Sequence, residues 1–142
     1  MNKDKINILL VEDREEDAEL TMMALRKDKF NGQVYWTKDG DEAINFLLEQ
    51  PDPEIIKNLR LILLDVNIPK LNGLEVLKRI KNSHLRGIPV VMLTTSNHEK
   101  DVTTAYDNYV NSYLLKPVRF DQFQLFIERV RYYWTDLNVA HF

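Results

Sequence analysis

Apolar positions along the chain follow two rhythms. Short runs rich in Ile, Leu and Val alternate with longer stretches in which apolar residues recur at three- and four-residue steps. The first rhythm marks strands and the second amphipathic helices. The pattern predicts strand one over Lys5 to Val11, strand two over Gln33 to Thr37, strand three over Leu61 to Asp65, strand four over Pro89 to Leu93 and strand five over Ser112 to Leu115. Strands one, three and four read as continuous apolar runs, as strands covered on both faces should, while strand two has the look of an edge. Five helices alternate with them. Helix one spans Glu15 to Asp28 with Ala18, Thr21, Met22 and Leu25 on one face; helix two follows Asp39-Gly40 and runs to Glu49; helix three follows Asn72-Gly73 and runs to Asn82; helix four covers Glu99 to Asn108. Helix five starts near Arg119 and carries a stripe of Phe123, Phe126, Ile127, Val130 and Trp134 that must face the sheet. The connection from Pro51 to Leu59 reads as a loop with room for one helical turn, because its two prolines oppose a continuation of helix two. This βαβα order predicts an α/β fold, a doubly wound five-stranded parallel sheet with helices on both faces.

Length and composition narrow the function. With 142 residues, 44% of them apolar, the expectation is one domain over 1–142, its core at about 5–134 and a short tail over 135–142. Nineteen basic against twenty-two acidic residues give a net charge of −3 with no basic run, which disfavours nucleic acid as a partner. The absence of cysteine removes disulfides, thiolate zinc sites and thiol nucleophiles together. Lys3 and Lys5 precede an apolar stretch, but Asn7 interrupts it and Glu12-Asp13 closes it, too early for a signal peptide or a membrane span. A cytoplasmic protein without a membrane partner is therefore expected. Four isolated glycines build neither a dinucleotide turn nor a phosphate loop, and His84, His98 and His141 have no metal-ligand spacing.

In an open parallel sheet, ligands bind beyond the carboxyl ends of the strands. Glu12 and Asp13 end strand one, Asp65 ends strand three, Thr94-Thr95-Ser96 follow strand four, and Lys116-Pro117 follow strand five. Two carboxylates about 4 Å apart repel by roughly 4 kcal/mol at an effective dielectric near 20, so three need a cation or protons. Oxygen ligands without cysteine or clustered histidine favour Mg²⁺. Lys116 and Thr94 add the charge and the donor that a phosphoryl group needs, and the set suits phosphoryl transfer to a carboxylate. Each residue also has a plainer reading: Asp13 as a cap of helix one, Lys116 as a surface lysine, Thr94 as a strand-end hydroxyl. Asp65 is harder to read that way, because it closes a fully apolar strand.

These residues resemble the receiver domain of two-component response regulators over about Lys5 to Trp134. The resemblance rests on Leu9-Leu-Val-Glu-Asp13, Leu63-Leu-Asp-Val-Asn-Ile-Pro69 with Leu71-Asn-Gly73, Pro89-Val-Val-Met-Leu-Thr-Thr95 and Tyr113-Leu-Leu-Lys-Pro117, in the family's order. It implies a flavodoxin-like sheet of strand order 2-1-3-4-5, with Asp65 as phosphoacceptor. It implies Mg²⁺, with Mn²⁺ as a substitute, on Glu12, Asp13, Asp65 and the backbone carbonyl of Asn67. Lys116 would pair with the acyl phosphate, Thr94 would be the switch hydroxyl, and Tyr113 the aromatic that swings in behind it. Glu12 stands where the family often has Asp, which touches only the detail of metal contact. The Lys116-Pro117 bond is expected to be cis. The fragments Leu93-Thr-Thr-Ser96, Ala105-Tyr-x-x-x-Val-Asn-Ser-Tyr113 and Tyr132-Tyr-Trp134 are similar to single-domain regulators that partner phytochrome-type histidine kinases. The implied partners are a sensor histidine kinase, a histidine phosphotransfer or effector protein, and a second copy bound through the face of helix four, strand five and helix five.

Two other readings compete. A Mg²⁺-dependent aspartyl phosphohydrolase would want an acid two residues after its nucleophile, where this chain has Asn67. A receiver-like module that is never phosphorylated would usually have lost an acid or the lysine of the pocket.

Overall fold

The computed structural model describes residues 5–27 and 30–141. Five parallel strands, β1 (Ile6–Val11), β2 (Gly32–Thr37), β3 (Leu59–Leu64), β4 (Val90–Thr94) and β5 (Ser112–Leu115), form one sheet of order β2-β1-β3-β4-β5. The expected class and order hold. Strand boundaries move by one or two residues: β3 starts at Leu59 and leaves Asp65 just beyond its end, and β4 includes Thr94.

Strand alternation divides the core in two. Leu9, Val11, Ile62, Leu64, Val90 and Met92 face one side, against α2 (Gly40–Ile44), α3 (Gly73–Lys81) and Ala105 of α4 (Glu99–Asp107). Ile8, Leu10, Leu61, Leu63, Val91 and Leu93 face the other, against α1 (Glu15–Leu25) and α5 (Phe120–Arg131). The stripe expected on α5 packs there, with Phe123, Ile127 and Val130 buried and Phe126 and Trp134 against the same cluster. Helix one ends at Leu25, three residues short of its expected end at Asp28, which lies outside the described residues. Helix two reaches Glu49 as expected, but through a wider π turn over Asn45–Glu49, and a second π turn over Tyr132–Leu137 prolongs α5 into the expected tail.

The 51–59 connection contains one helical turn, Pro53–Ile56, capped by Asp52, whose side chain accepts from the Glu54 N–H. Asn7, which interrupts the apolar run of β1, is buried and donates its side-chain amide to the Ile55 carbonyl at 2.9 Å. That polar break therefore pins the connection to the sheet. The Lys116-Pro117 bond, expected cis, is trans, since no cis peptide occurs among the described residues. Trans is the lower-energy form of an isolated X–Pro bond, by about 0.5–1 kcal/mol.

Candidate functional site

All strands run the same way, so their carboxyl ends share one edge. The ladder puts Val11 opposite Leu64 and Thr94 opposite Leu115, so the residues that follow emerge side by side. Backbone bonds carry the alignment one step further: Asp65 N–H donates to the Val11 carbonyl at 3.2 Å, and Lys116 N–H to the Thr94 carbonyl at 2.9 Å. The Trp36 indole N–H donates to the Glu12 carbonyl at 2.7 Å, fixing the end of β1 from its edge neighbour.

Carboxylate oxygens of Glu12, Asp13 and Asp65 lie within 4.8 Å of one another. Glu12 and Asp65 are buried while Asp13 is exposed, so the cluster opens to water on one side. An all-oxygen set of this compactness, half covered and half open, suits a hard divalent ion that keeps several waters. Asp13 does not cap α1: Arg14 occupies the N-cap position and no side chain accepts there. Its plainer reading falls away for that reason.

Lys116 is no surface lysine. Its side chain is 6% exposed, and its ammonium lies 2.6 Å from Glu12 Oε1, 3.2 Å from Asp65 Oδ2 and 3.3 Å from Asp17 Oδ2. Three carboxylates thus occupy all three N–H donors of the ammonium. Burial works against its charge, but the fields of Asp65 and Glu12 and the Glu12 hydrogen bond prevail and hold its pKa above the ordinary value. Burial raises the Glu12 pKa, with Lys116 pulling against it. The pair is therefore a charged lysine held over a carboxylate that resists ionisation.

Asp65 is held from its own loop as well. Its Oδ1 accepts from the Asn67 N–H at 3.3 Å, and Asn67 itself is exposed at the rim. The loop is set by Gly73, where any Cβ would stand 2.0 Å from the Asp65 carbonyl oxygen, and by the Asn72 cap, which accepts from the Glu75 N–H. Lys70, in the same loop, takes φ 70°, a left-handed conformation that costs a side-chain-bearing residue energy.

Thr94 is fully buried, and its Oγ1 accepts from the Ser96 N–H at 3.2 Å. Half-buried Tyr113 donates its hydroxyl to the Ser96 carbonyl at 2.8 Å, and burial raises its pKa. Ser96 therefore joins the two residues expected to switch together. The Ser96 hydroxyl in turn donates to Asp101 at 2.6 Å, tying the loop to α4.

Of the expected site residues, Glu12, Asp13, Asp65 and Lys116 come together at this edge, with Asn67 bonded to Asp65 through its N–H, while Thr94 and Tyr113 meet each other there only through Ser96. Asp17, in the first turn of α1, was not among them, although it touches Lys116 as closely as Asp65 does. Its place four residues after Asp13 is the one trace in the sequence, and an acid in a first helical turn reads by default as a complement to the helix dipole.

The family described as "Response regulator receiver domain" matches residues 8–128. The chain is 42% identical over 138 residues to the probable methanogenesis regulatory protein FilR2 of Methanothrix harundinacea, covering 96% of this chain and 88% of that protein. It is 38% identical over 130 residues to response regulator Rcp1 of a Synechocystis species, covering 91% of this chain and 88% of Rcp1. The Mn²⁺-bound crystal structure of Rcp1 superimposes with a TM-score of 0.85 at 36% identity, over 96% of this chain and 99% of that one. The phosphorylated cyanobacterial phytochrome response regulator RcpA superimposes with a TM-score of 0.90 at 34% identity, with the same coverage.

Proposed function

The chain belongs to the receiver-domain family of response regulators, and from that premise we propose that it forms a single receiver domain that accepts a phosphoryl group on Asp65 from a histidine kinase. The observation that carries this reading is the buried Lys116 ammonium, 3.2 Å from Asp65 Oδ2, beside an acidic cluster fit for a divalent ion. A carboxylate oxygen of Asp65 forms the new P–O bond while the donor's P–N or P–O bond breaks, its electron pair leaving with the donor. Glu12, Asp13, Asp65 and the Asn67 carbonyl hold Mg²⁺, for which Mn²⁺ substitutes. When bound, the ion supplies positive charge toward the phosphoryl oxygens.

Phosphorylation replaces a monoanion by a dianionic group whose oxygens Lys116 and Thr94 can meet. Turning the Thr94 hydroxyl toward a phosphoryl oxygen draws it from the Ser96 N–H, and Ser96 is the acceptor of Tyr113. The change thus passes to the face of α4, β5 and α5, where Tyr106 and Leu115 are exposed. That face is the proposed contact for a second copy, a histidine phosphotransfer domain or an effector protein. The chain catalyses only its own phosphorylation and dephosphorylation. Similarity to Rcp1 and RcpA favours a phytochrome-type kinase as donor. A cytoplasmic location with no nucleic-acid or membrane partner completes the proposal, and the balanced charge without a basic run supports the nucleic-acid part of it.

Intact-mass measurement after incubation with acetyl phosphate tests the reading. One added phosphoryl group that requires both Mg²⁺ and Asp65, and is absent in Asp65→Asn, is the expected result. Absence of label together with absence of Mg²⁺ binding would instead support a phosphorylation-independent interaction module.

A further inference from the structure

The ammonium of Lys116 has three donors, and the resting structure spends one of them on Asp17. Asp17 stands apart from the other two acceptors. It comes from α1 rather than from a strand end, it lies outside the cluster fit for a metal, and its side chain is 29% exposed where Glu12 is 2% exposed. It also lies within reach of a second cation, since Arg14 Nε is 4.0 Å from the Asp17 oxygen that meets Lys116. Asp17, Arg14, Thr95 and Lys116 line one open cavity of about 420 Å³ with Leu20 and Phe123, so the Asp17 carboxylate has room to move.

We propose that Asp17 is a positioning residue that competes with the phosphoryl group for Lys116 and so lowers the affinity of the site for phosphate. This rests on the phosphoacceptor reading above. Glu12, Asp65 and Asp17 share the three N–H donors of Lys116, and each N–H given to Asp17 is one that a phosphoryl oxygen must win. Counting Glu12, Asp13, Asp65, Lys116 and a divalent ion, the site is neutral before phosphorylation. Asp17 adds −1 and Arg14 beside it adds +1, so the site stays neutral until the dianionic product takes it to −1. When the phosphoryl group draws Lys116 inward, Asp17 turns to Arg14, the cation already beside it. Both arrangements keep Asp17 paired, so the competition is reversible.

The probe is beryllofluoride, a phosphoryl mimic, titrated with Mg²⁺ into the full chain and followed through Trp36, whose indole is bonded to the Glu12 carbonyl, in a Trp134→Phe background. Asp17→Asn keeps an oxygen acceptor for Lys116 and removes only the charge. It should bind the mimic roughly three- to fivefold tighter, the upper scale of one partly exposed ion pair. Asp17→Glu, which restores the charge on a longer side chain, should return within about twofold of the parent, whereas a merely structural role would make both substitutions alike. Tighter binding by Asp17→Asn with recovery in Asp17→Glu supports the inference. Unchanged or weaker binding by Asp17→Asn overturns it, weaker binding meaning that Asp17 tethers Lys116 for catalysis instead. If the parent binds no beryllofluoride at all, the phosphoacceptor reading itself falls, and the inference with it.

Discussion

Replacing Lys116 by methionine keeps the length of the stem and most of its volume but removes the ammonium from among three carboxylates. Glu12 and Asp65 are left buried with no cation within 4.0 Å of them among the described residues. Breaking a buried ion pair by removing one partner costs about 3–5 kcal/mol, and the low end applies because exposed Asp13 and part-exposed Asp17 retain water. The deficit depends on pH. Glu12 already has its pKa raised from the ordinary 4.5 by burial, against the pull of Lys116. Without Lys116 the folded chain binds that proton more tightly still. An acid whose pKa rises on folding takes up protons in the native state, so its contribution to stability falls as pH rises above the unfolded value. The loss in Lys116→Met should therefore be largest near pH 8, about 3 kcal/mol, and shrink toward pH 5. Lys116 in the parent is raised on folding, so its contribution is complete below 10.5 and is lost only as pH rises through its higher folded value. Urea unfolding without divalent ions, followed by circular dichroism, reads this directly. With a slope of about 2 kcal/mol per M, the midpoint at pH 8 should drop by about 1.5 M and recover part of that at pH 5. A drop below about 0.5 M, or an equal drop at both pH values, would show that the ammonium is not what makes the buried carboxylates tolerable.

Three further outcomes are expected. Gly73→Ala should destabilise by at least about 2 kcal/mol in the same unfolding assay, because its Cβ would collide with backbone at Asp65 and Val66 that has no room to give. Lys70→Gly should raise the melting temperature by about 2 °C, because glycine takes the left-handed conformation at Lys70 without strain and the 3.6 Å contact that it gives up joins buried Asp39 to a lysine that is itself largely exposed; a lower melting temperature would mean that the Asp39 contact outweighs the strain. Mg²⁺ at ten times its dissociation constant should stabilise the chain by about 1.4 kcal/mol, and Asp13→Ala should abolish most of that shift in a thermal melt.

How much of this was legible in the sequence differs by element. Strands β3 and β4, and β1 apart from Asn7, were legible because burial on both faces demands near-continuous apolar runs, whereas β2 and β5, half-buried at the sheet edges, were read from short β-branched or aromatic runs between turns. The edge that carries Glu12, Asp13, Asp65, Thr94 and Lys116 was legible for the same reason, since polar residues that close such runs must emerge at one end of a parallel sheet. The π turns at Asn45–Glu49 and Tyr132–Leu137 were not, because apolar periodicity cannot distinguish a widened turn from a regular one. The trans Lys116-Pro117 bond was missed because the energy between its isomers is smaller than that of a single tertiary contact.

By itself, then, the sequence determined the alternation of strands and helices, the two apolar faces and the five polar residues that close the strands. Local pattern suffices for these, because each depends on which residues can be buried. Tertiary structure alone decided that Asp17 reaches Lys116, that Trp36 holds the Glu12 carbonyl and that Ser96 links Thr94 to Tyr113. Those contacts depend on the angle at which α1 lies on the sheet and on the register of neighbouring strands, which are set by the packing of distant side chains and leave no periodic mark along the chain.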